Sequence, residues 1–449
     1  MKRIFYFSFC IFNSVKGWLI RRFTPVGWFL LGALGVSAVV GLDTKQSVAF
    51  QAFTFLLALL VFSFLWSLRF RARFHAHRRL PAFATVLEPL SYRIVIENGT
   101  EKTQTGLTVS EDQPDSFPSF EEFTGTPEPT QRRRNPFDRW VSYHRWLRLF
   151  EWKKMARMEV HPLPAIPPKG DMEIRVQLLP RTRGYLRFSG VRISRSDPFG
   201  VAHSSVTVPI PQSLLVLSRR YSVPPILLPG TRRHQPGGVA LASCVGDSEE
   251  FVSLRDYRPG DPLRRIHWKS LAKKDKPVVK EYQDEFFVRH ALVLDTFQKA
   301  VVSDIFEEAV AVAASFACTI QTQESLLDLM FVGTEAYCFT AGRGLAHTDK
   351  MLEILACVMP CTERPFSDLP PLLLQRASLL SGCICIFLAW DDERKDLIGL
   401  LKALNVPVLV LVITEEEVTR DPDPGPMKDH PENLRFLQVG RIKEGLAQL

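Results

Sequence analysis

Residues 249–282 read EEFVSLRDYRPGDPLRRIHWKSLAKKDKPVVKEY, and the rest of the chain is organised around this stretch. Acidic and basic side chains alternate along it, and they can form charge-assisted hydrogen bonds that order a loop. The turn at 258–262 contains two prolines and a glycine, which suit a rigid connection better than a linker. Tyr257 and Trp268 supply large anchors on either side of that turn. The composition therefore predicts a structured surface rather than a core or a disordered tail.

The spacing within this stretch resembles the signature of the domain of unknown function 58 family. The residues that carry the resemblance are Phe251, Arg255, Tyr257, Gly260, Asp261, Arg264 or Arg265, Ile266 and Trp268. The predicted interaction surface consists of Phe251, Arg255, Tyr257, Gly260, Asp261, Arg264, Arg265, His267 and Trp268. Two upstream elements, Arg183-Gly184-Tyr185 and Asp197-Pro198-Phe199-Gly200, also resemble the family. We favour a structural explanation for both, namely a turn that needs glycine and an Asp that bonds its own backbone.

Two uncharged apolar runs occupy 25–42 and 47–68. Each is close to the roughly 20 residues that a helix needs to cross a hydrocarbon layer. A secretory signal over residues 4–12 is the alternative, but no small-residue cleavage site follows those residues. The runs therefore predict a two-helix transmembrane hairpin within residues 1–79.

Basic residues lie outside both predicted spans. They are Lys2, Arg3, Lys16, Arg21 and Arg22 before the first span, and Arg69, Arg71, Arg73, Arg78 and Arg79 after the second. The connecting turn carries only Asp43 and Lys45. Because Lys and Arg favour the cytoplasmic side, this distribution predicts a multi-pass protein of the bacterial inner membrane with both termini in the cytoplasm.

The net charge of +8 comes largely from these flanks, where it meets anionic lipid heads. Membrane lipid is therefore an expected partner, and no nucleic-acid partner is expected. The eight cysteines would be reduced in the cytoplasm. Their spacings match no common zinc-ligand pattern, so we expect buried free thiols instead of a metal site.

Residues 80–220 predict a small antiparallel β-sandwich. Polar and apolar residues alternate in short runs that are separated by turn residues. These runs are 91–97, 173–179, 185–194 and 206–210.

An insertion at 112–158 interrupts the predicted sandwich. Residues 112–131 are rich in Pro, Ser, Glu and Thr and predict a mobile loop. Residues 132–157 hold nine basic and two acidic residues, interleaved with Trp140, Trp146 and Trp152. This pattern favours an interfacial helix with the three tryptophans at the membrane surface. A site for an acidic partner or RNA and a plain loop insertion are the alternatives.

Strands and helices alternate over residues 288–449, after a connecting region at 221–287 that contains the signature. The predicted strands are 290–296, 326–332, 337–340, 383–390 and 406–413, and the predicted helices are 305–321, 347–358 and 391–404. The last twenty residues add a strand and a helix. This order predicts an α/β doubly wound parallel sheet. It resembles the von Willebrand factor A fold, which the family resemblance also implies after the signature.

Asp295 ends the first predicted strand of this domain, where open sheets of this kind bind their ligands. Many von Willebrand A domains have there a metal-binding Asp-x-Ser-x-Ser motif. This chain has Phe297 and Lys299 at the two serine positions, so we regard the site as degenerate and expect no metal. The alternative is a cation held by Asp295 with Thr296 and an acidic residue such as Asp391 or Asp392. We expect the Asp295 carboxylate to bond to nearby backbone amides or to a cation such as Lys299.

Two functions fit these features. The first is a non-catalytic, membrane-anchored cytoplasmic scaffold or protein-interaction module that needs no cofactor. The family resemblance implies a MoxR-type AAA ATPase as its partner. The alternative is a hydrolase in which Asp261 and His267 form an acid/base pair. We also expect the signature to clamp the two domains together. If the Trp268 ring is buried, replacing it by Ala should cost about 3 kcal/mol or more.

Overall fold

The computed structural model divides the chain into two compact units, Met1–Ser218 and Arg219–Leu449. It describes residues 2–40, 47–67, 70, 72–114, 117–126, 135–224, 251–259, 263, 266–274, 276–282, 288–320, 325–342, 345–415 and 423–449.

The first unit begins with three helices. They are α1 (Lys2–Arg22), α2 (Pro25–Val40) and α3 (Ser47–Ser67). Within the described residues, one helical segment, Val48–Ser67, is long and apolar enough to cross a membrane, whereas Pro25–Val40 is apolar but shorter. Residues 41–46, between α2 and α3, lie outside the described residues. The two-span hairpin therefore stays a prediction. The apolar residues 4–12, weighed above as a signal, are part of the longer helix α1.

Among the described residues of this unit, nine strands follow, and they form two sheets. The strands are β1 (Phe74–Arg79), β2 (Phe83–Thr85), β3 (Leu90–Asn98), β4 (Leu107–Asp112), β5 (Ala156–Met158), β6 (His161–Leu163), β7 (Asp171–Pro180), β8 (Gly184–Ser196) and β9 (His203–Leu217). One sheet has the order β1-β3-β7-β5 and the other has the order β2-β9-β8-β4-β6. Neighbours are antiparallel except for β2 and β9. Alternate residues of both sheets, such as Ile94 and Ile193, are fully buried in one shared core.

This arrangement confirms the four predicted strands of the sandwich and corrects its start. Strand β1 begins at Phe74 and pairs with β3 along its whole length, so the sandwich does not begin at Leu80. Arg78 therefore is not a membrane flank. Its guanidinium is buried against the Glu111 carboxylate, with Nε 2.9 Å from Oε1, and it lies 4.4 Å from the centre of the Phe188 ring.

The described part of the predicted insertion, between β4 and β5, contains three short helices. They are α4 (Phe120–Gly125), α5 (Pro136–Val141) and α6 (Tyr143–Lys153). Helix α4 replaces part of the mobile loop predicted over 112–131. Ser119 and Glu122 form a reciprocal capping box at its start, and Phe123 is buried. A capped first turn with a buried aromatic residue is enough to order a segment of polar composition.

The second unit contains a hairpin and a larger sheet. Its elements are β10 (Phe251–Asp256), α7 (Trp268–Lys274), β11 (Val278–Tyr282), β12 (Val288–Leu294), α8 (Asp304–Thr319), β13 (Ser325–Val332), β14 (Ala336–Ala341), α9 (Leu345–Cys357), α10 (Leu369–Leu374), β15 (Gly382–Phe387), α11 (Asp392–Ala403), β16 (Val408–Thr414), β17 (Leu434–Gln438) and α12 (Ile442–Leu446). Strands β10 and β11 pair antiparallel. The larger sheet has six strands in the order β14-β13-β12-β15-β16-β17.

All neighbours in the six-stranded sheet are parallel except β13 and β14. Every residue of β15 is buried, as expected for a strand covered on both faces. The predicted alternation of strands and helices over this region is confirmed, including the edge strand. From β12, the strands that follow in sequence are added first on one side of the sheet (β13, β14) and then on the other (β15, β16, β17), so the strand order switches direction between β12 and β15. Asp295 follows β12 at the carboxyl end of this topological switch point.

Candidate functional site

Asp295 and Thr296 follow β12 directly and are fully buried. The Asp295 amide donates to the Ile386 carbonyl at 2.9 Å, which continues the pairing of β12 with β15. The Thr296 hydroxyl donates to the Val332 carbonyl at the end of β13. Both residues are thus held at the carboxyl edge of the sheet by neighbouring strands. We call Asp295, Thr296, Asp391 and Arg394 the switch-point cluster.

The Asp295 carboxylate accepts three hydrogen bonds. Its Oδ1 accepts from the Phe297 amide at 3.0 Å. Its Oδ2 accepts from the Leu388 amide at 3.1 Å and from Arg394 Nε at 2.7 Å. The predicted bonds to nearby backbone amides are therefore confirmed. The predicted cation was wrong in identity, because Arg394 and not Lys299 pairs with Asp295.

Helix α11 positions Arg394 from its first turn. Asp391 caps this helix by accepting from the Arg394 amide at 3.2 Å, and its second oxygen lies 2.5 Å from Arg394 Nη1. The guanidinium carbon lies 4.6 Å from the centre of the Phe366 ring. Phe297 packs edge-on against the same ring, with centroids 5.4 Å apart. The cation is therefore enclosed by two carboxylates and an aromatic face.

Burial and charge act in opposite directions on this cluster. Burial raises the pKa of Asp295, while Arg394 and the amides of Leu388 and Phe297 oppose that rise. Burial lowers the pKa of the Arg394 guanidinium, but the carboxylates of Asp295 and Asp391 outweigh it, so the net direction is upward. The guanidinium thus remains charged and is the positive partner of the buried Asp295 carboxylate.

The side-chain oxygens of Asp295 and Thr296 have protein partners. Phe297 offers a ring at the first serine position of the motif, and the hydroxyl of Thr296 is directed at a carbonyl. Within the described residues, no group of three or more His, Cys, Asp or Glu side chains is placed to hold a metal. Arg394 was missed from the sequence because 99 residues separate it from Asp295.

The signature segment forms the β10–β11 hairpin and helix α7. Ile266 bridges to Val279, and both side chains are buried. The His267 amide donates to the Val278 carbonyl at 2.8 Å, and the Tyr257 amide donates to the Pro277 carbonyl at 3.0 Å. Backbone pairing thus ties both ends of the 257–267 connection to β11 and the residue before it.

Trp268 lies at the start of α7 with 63% of its side chain exposed. The ring is therefore not buried, so the condition under which Trp268→Ala would cost about 3 kcal/mol or more is not met. Leu254 and Leu263 in the same segment are also exposed, whereas Arg255 and Tyr257 are half-buried. The predicted residues Gly260, Asp261, Arg264 and Arg265, and the side chain of Phe251, lie outside the described residues. The role of the signature as a clamp stays a prediction.

His267 is half-buried, and its Nδ1 lies 2.6 Å from the Ser270 hydroxyl. The contact spans the first turn of α7, where the Ser270 amide also donates to the His267 carbonyl at 2.9 Å. The imidazole therefore has a hydroxyl partner within the first turn of α7.

The three tryptophans of the basic segment have different environments. Trp146 is fully buried in α6, and its ring stacks on Phe150 with centroids 5.0 Å apart. The prediction that Trp146 lies at the membrane surface is therefore wrong. Trp140 is half-exposed, with its ring edge-on to Phe5 of α1, and Trp152 is also only partly buried. Composition could not show this, because a basic, aromatic helix looks the same in sequence whether its rings contact lipid or other aromatic side chains.

The turn 197–200 behaves as the structural explanation predicted. Asp197 Oδ1 accepts from the amides of Val201 and Ala202 at 2.6 and 3.2 Å. Gly200 has a φ of +66°, a region that favours glycine. The turn therefore positions Val201, whose carbonyl accepts from the Thr24 amide at 3.0 Å.

Comparison with known proteins agrees with the signature. Residues 253–377 match the family described as "Protein of unknown function DUF58". The matched region runs from the hairpin through the first half of the six-stranded sheet. The chain is also 28% identical over 192 residues to "Uncharacterized protein YeaD" of Bacillus subtilis (strain 168), covering 42% of this chain. It spans about half of that relative, 46% of its length.

Similarity to solved structures is weak. The CARDB domain of PF1109 from Pyrococcus furiosus is 7% identical to this chain. The alignment covers 32% of this chain and 94% of that domain, with a TM-score of 0.16. A GH20 exo-β-N-acetylglucosaminidase from Vibrio harveyi is 8% identical to this chain. The alignment covers 77% of this chain and 57% of the enzyme, with a TM-score of 0.13. Scores this low carry no argument about fold or function.

Proposed function

We propose that this chain is a membrane-anchored, non-catalytic interaction module. In this proposal α2 and α3 hold it in the bilayer, and the signature segment with the α/β unit binds another protein on the cytoplasmic side. The observation that carries the proposal is the switch-point cluster. The position at which related sheets bind ligands is filled here by an internal guanidinium.

The contacts of the helix ends support a membrane hairpin. Helices α2 and α3 pack against each other. The start of α2 is tied to the sandwich by the Thr24–Val201 bond, and the end of α3 is tied to it by the Ser204 hydroxyl, which donates to the Ser67 carbonyl at 2.9 Å. If α3 crosses a bilayer, α2 must therefore start on the side where α3 ends. At 1.5 Å per residue, α3 is about 31 Å long and α2 about 24 Å.

The sheet order supports a von Willebrand factor A-like assignment for the second unit. The central strand β12 lies between β13 and β15, and the antiparallel strand β14 forms one edge. An aspartate at the end of β12 occupies the position of the metal-binding Asp in that fold. The pairing with Arg394 supports a version of this fold that does not use a divalent ion.

The exposed apolar side chains of the signature support a protein partner. Large exposed apolar side chains such as Trp268 are enriched in protein interfaces. The family resemblance proposes a MoxR-type AAA ATPase as that partner. The detergent-solubilised chain and such an ATPase should therefore associate in a pull-down with both purified components.

Trp268→Ala tests the same proposal. This variant should lose binding with its thermal unfolding unchanged, because the ring is mostly exposed. Leu404→Ala is the matched control, since Leu404 is an exposed apolar side chain of the same unit outside the signature. Equal binding by the Trp268 and Leu404 variants would contradict the proposal.

The hydrolase remains the second candidate, and the His267–Ser270 contact is the observation that favours it. Imidazole beside a hydroxyl is an arrangement found in acyl-transfer enzymes. Turnover of an ester or amide substrate that disappears in His267→Ala with the fold intact would support this function over the scaffold.

A further inference from the structure

Helix α1 has one face covered by protein. The Tyr6 hydroxyl donates to the Pro118 carbonyl at 2.7 Å. Phe5 and Phe9 contact Trp140 and Tyr143 with ring centroids 4.9 and 5.0 Å apart. We call the rings that receive this face the aromatic platform, and its members are Phe120, Phe123, Trp140, Tyr143 and Trp146. The insertion that interrupts the sandwich thus serves to hold α1.

The opposite face of α1 is apolar and exposed. Five of its residues recur at intervals of three or four positions, and each is at least half exposed. They are Ile4, Phe7, Ile11, Val15 and Trp18. At 3.6 residues per turn they fall within an arc of about 80°, roughly opposite Phe9. We call this set the apolar stripe.

The charge of α1 suits an anionic surface. The helix contains five basic residues and no acidic residue, and the basic residues cluster near its two ends, with Lys16 before the last turn. A helix with an apolar stripe and Lys or Arg around it binds in the plane of an anionic bilayer by burying the stripe among the headgroups. A protein partner covering the stripe would have to present acidic groups around an apolar groove.

The end of α1 lies at the level where the proposed hairpin leaves the bilayer. Arg22, the last residue of α1, donates from Nη2 to the Ser67 hydroxyl at the end of α3 at 2.7 Å. Its guanidinium carbon lies 5.4 Å from the centre of the Phe64 ring. Only Phe23 and Thr24 separate α1 from α2. The carboxyl end of α1 is therefore fixed beside the ends of both apolar helices.

We propose that α1 is a membrane-surface helix whose apolar stripe inserts into the headgroup region of an anionic bilayer, held there by the aromatic platform. This inference rests on the proposed membrane hairpin. It transfers the interfacial role from the basic segment to α1 and makes the basic segment a protein support. Three anchoring points, α1 and the two apolar helices, would fix how the sandwich is oriented at the membrane.

The test uses the full chain in phosphatidylcholine–phosphatidylglycerol vesicles that contain lipids brominated near the headgroup end of the acyl chain. Bromine quenches nearby tryptophan, so the difference between the wild type and Trp18→Phe isolates the Trp18 signal. We expect brominated lipid to remove most of this signal. The Trp268 signal, obtained as the difference between the wild type and Trp268→Phe, should not be quenched by brominated lipid. The difference for Trp28→Phe, in α2, reports on the hairpin independently.

A matched pair of substitutions completes the experiment. Ile11→Asp places a charge in the stripe and should restore Trp18 fluorescence in brominated vesicles. Ile20→Asp makes the same change at an exposed residue outside the stripe and should leave the quenching unchanged. Both sites are exposed, so the aromatic platform should keep its protease resistance in each variant.

The outcomes separate the two proposals. A Trp18 signal that brominated lipid leaves intact, with the Trp28 signal quenched, would overturn the surface helix and leave the hairpin standing. Loss of quenching at both positions would overturn the hairpin as well. A Trp18 signal that neither brominated lipid nor an aqueous quencher reaches would show that protein covers the stripe, which also overturns the inference.

Discussion

Replacing Arg394 by Met tests the switch-point cluster most sharply. The substitution keeps an apolar stem and removes the cation that pairs with Asp295, a carboxylate with no exposed surface. Breaking a buried pair by removing one partner costs about 3–5 kcal/mol. We expect about 3 kcal/mol, the lower end of that range, because Asp295 keeps its two amide donors and Asp391 is half-exposed to water.

The penalty should depend on pH in a defined direction. Without Arg394, burial raises the pKa of Asp295 further above its ordinary value. A carboxyl group with a raised folded-state pKa binds more protons when folded. The stability that it contributes is therefore present below its unfolded pKa and is lost as the pH rises through the folded pKa. The cost of Arg394→Met should be greatest near neutral pH and should shrink on acidification.

The assay is hydrogen exchange of the detergent-solubilised full chain, with the opening free energy read from peptides of β12 and β15. Lys395→Met is the control, because it removes a neighbouring cation from a weaker ion pair. Lys395 Nζ lies 3.7 Å from Asp423 Oδ2, and the Asp423 side chain is 62% exposed. This substitution should cost less than about 1 kcal/mol. Asp295→Asn should recover most of the loss in the Arg394→Met background. An Arg394→Met penalty under about 1 kcal/mol, or one that grows on acidification, would refute the reasoning.

Three further results are expected. Trp146→Ala should cost about 3–5 kcal/mol and expose α6 to exchange, whereas Trp140→Ala should cost much less because its ring is half-exposed; equal effects would contradict the platform. Calorimetric titration of the full chain with magnesium and manganese should give no saturable binding that disappears in Asp295→Ala; such binding would show that the departure from the motif was misread. Gly27→Ala should loosen the start of α2 from the sandwich, because the new Cβ would lie 2.2 Å from the Val201 carbonyl oxygen, and unchanged protease resistance there would count against it.

The elements that the sequence predicts well are those with a clear period. Alternation in β3 and β8 and the continuous apolar run of β15 locate strands directly, because burial on one face or on both leaves a pattern along the chain. The capping box at Ser119 was a readable signal that the composition of the loop obscured.

The pairings within the sites could not be predicted in the same way. Whether a charged side chain is buried depends on a partner that is distant in sequence, as for Arg78 with Glu111 and Arg394 with Asp295. The aromatic rings of α6 could face lipid or protein, and the choice depends on distant partners such as Phe9 of α1 and Phe117. Composition fixes the chemical character of such segments but does not identify what they contact.

The membrane hairpin is the central claim, and thiol labelling with a membrane-impermeant maleimide tests it most directly. Thr44 lies between the two apolar runs, and Cys318 and Cys357 are exposed in the second unit. If the hairpin spans the membrane with both ends in the cytoplasm, Thr44→Cys should add label in intact cells, and Cys318 and Cys357 should react only after the membrane is permeabilised. Labelling of Cys318 in intact cells, or a Thr44→Cys thiol that reacts only after permeabilisation, would contradict this topology.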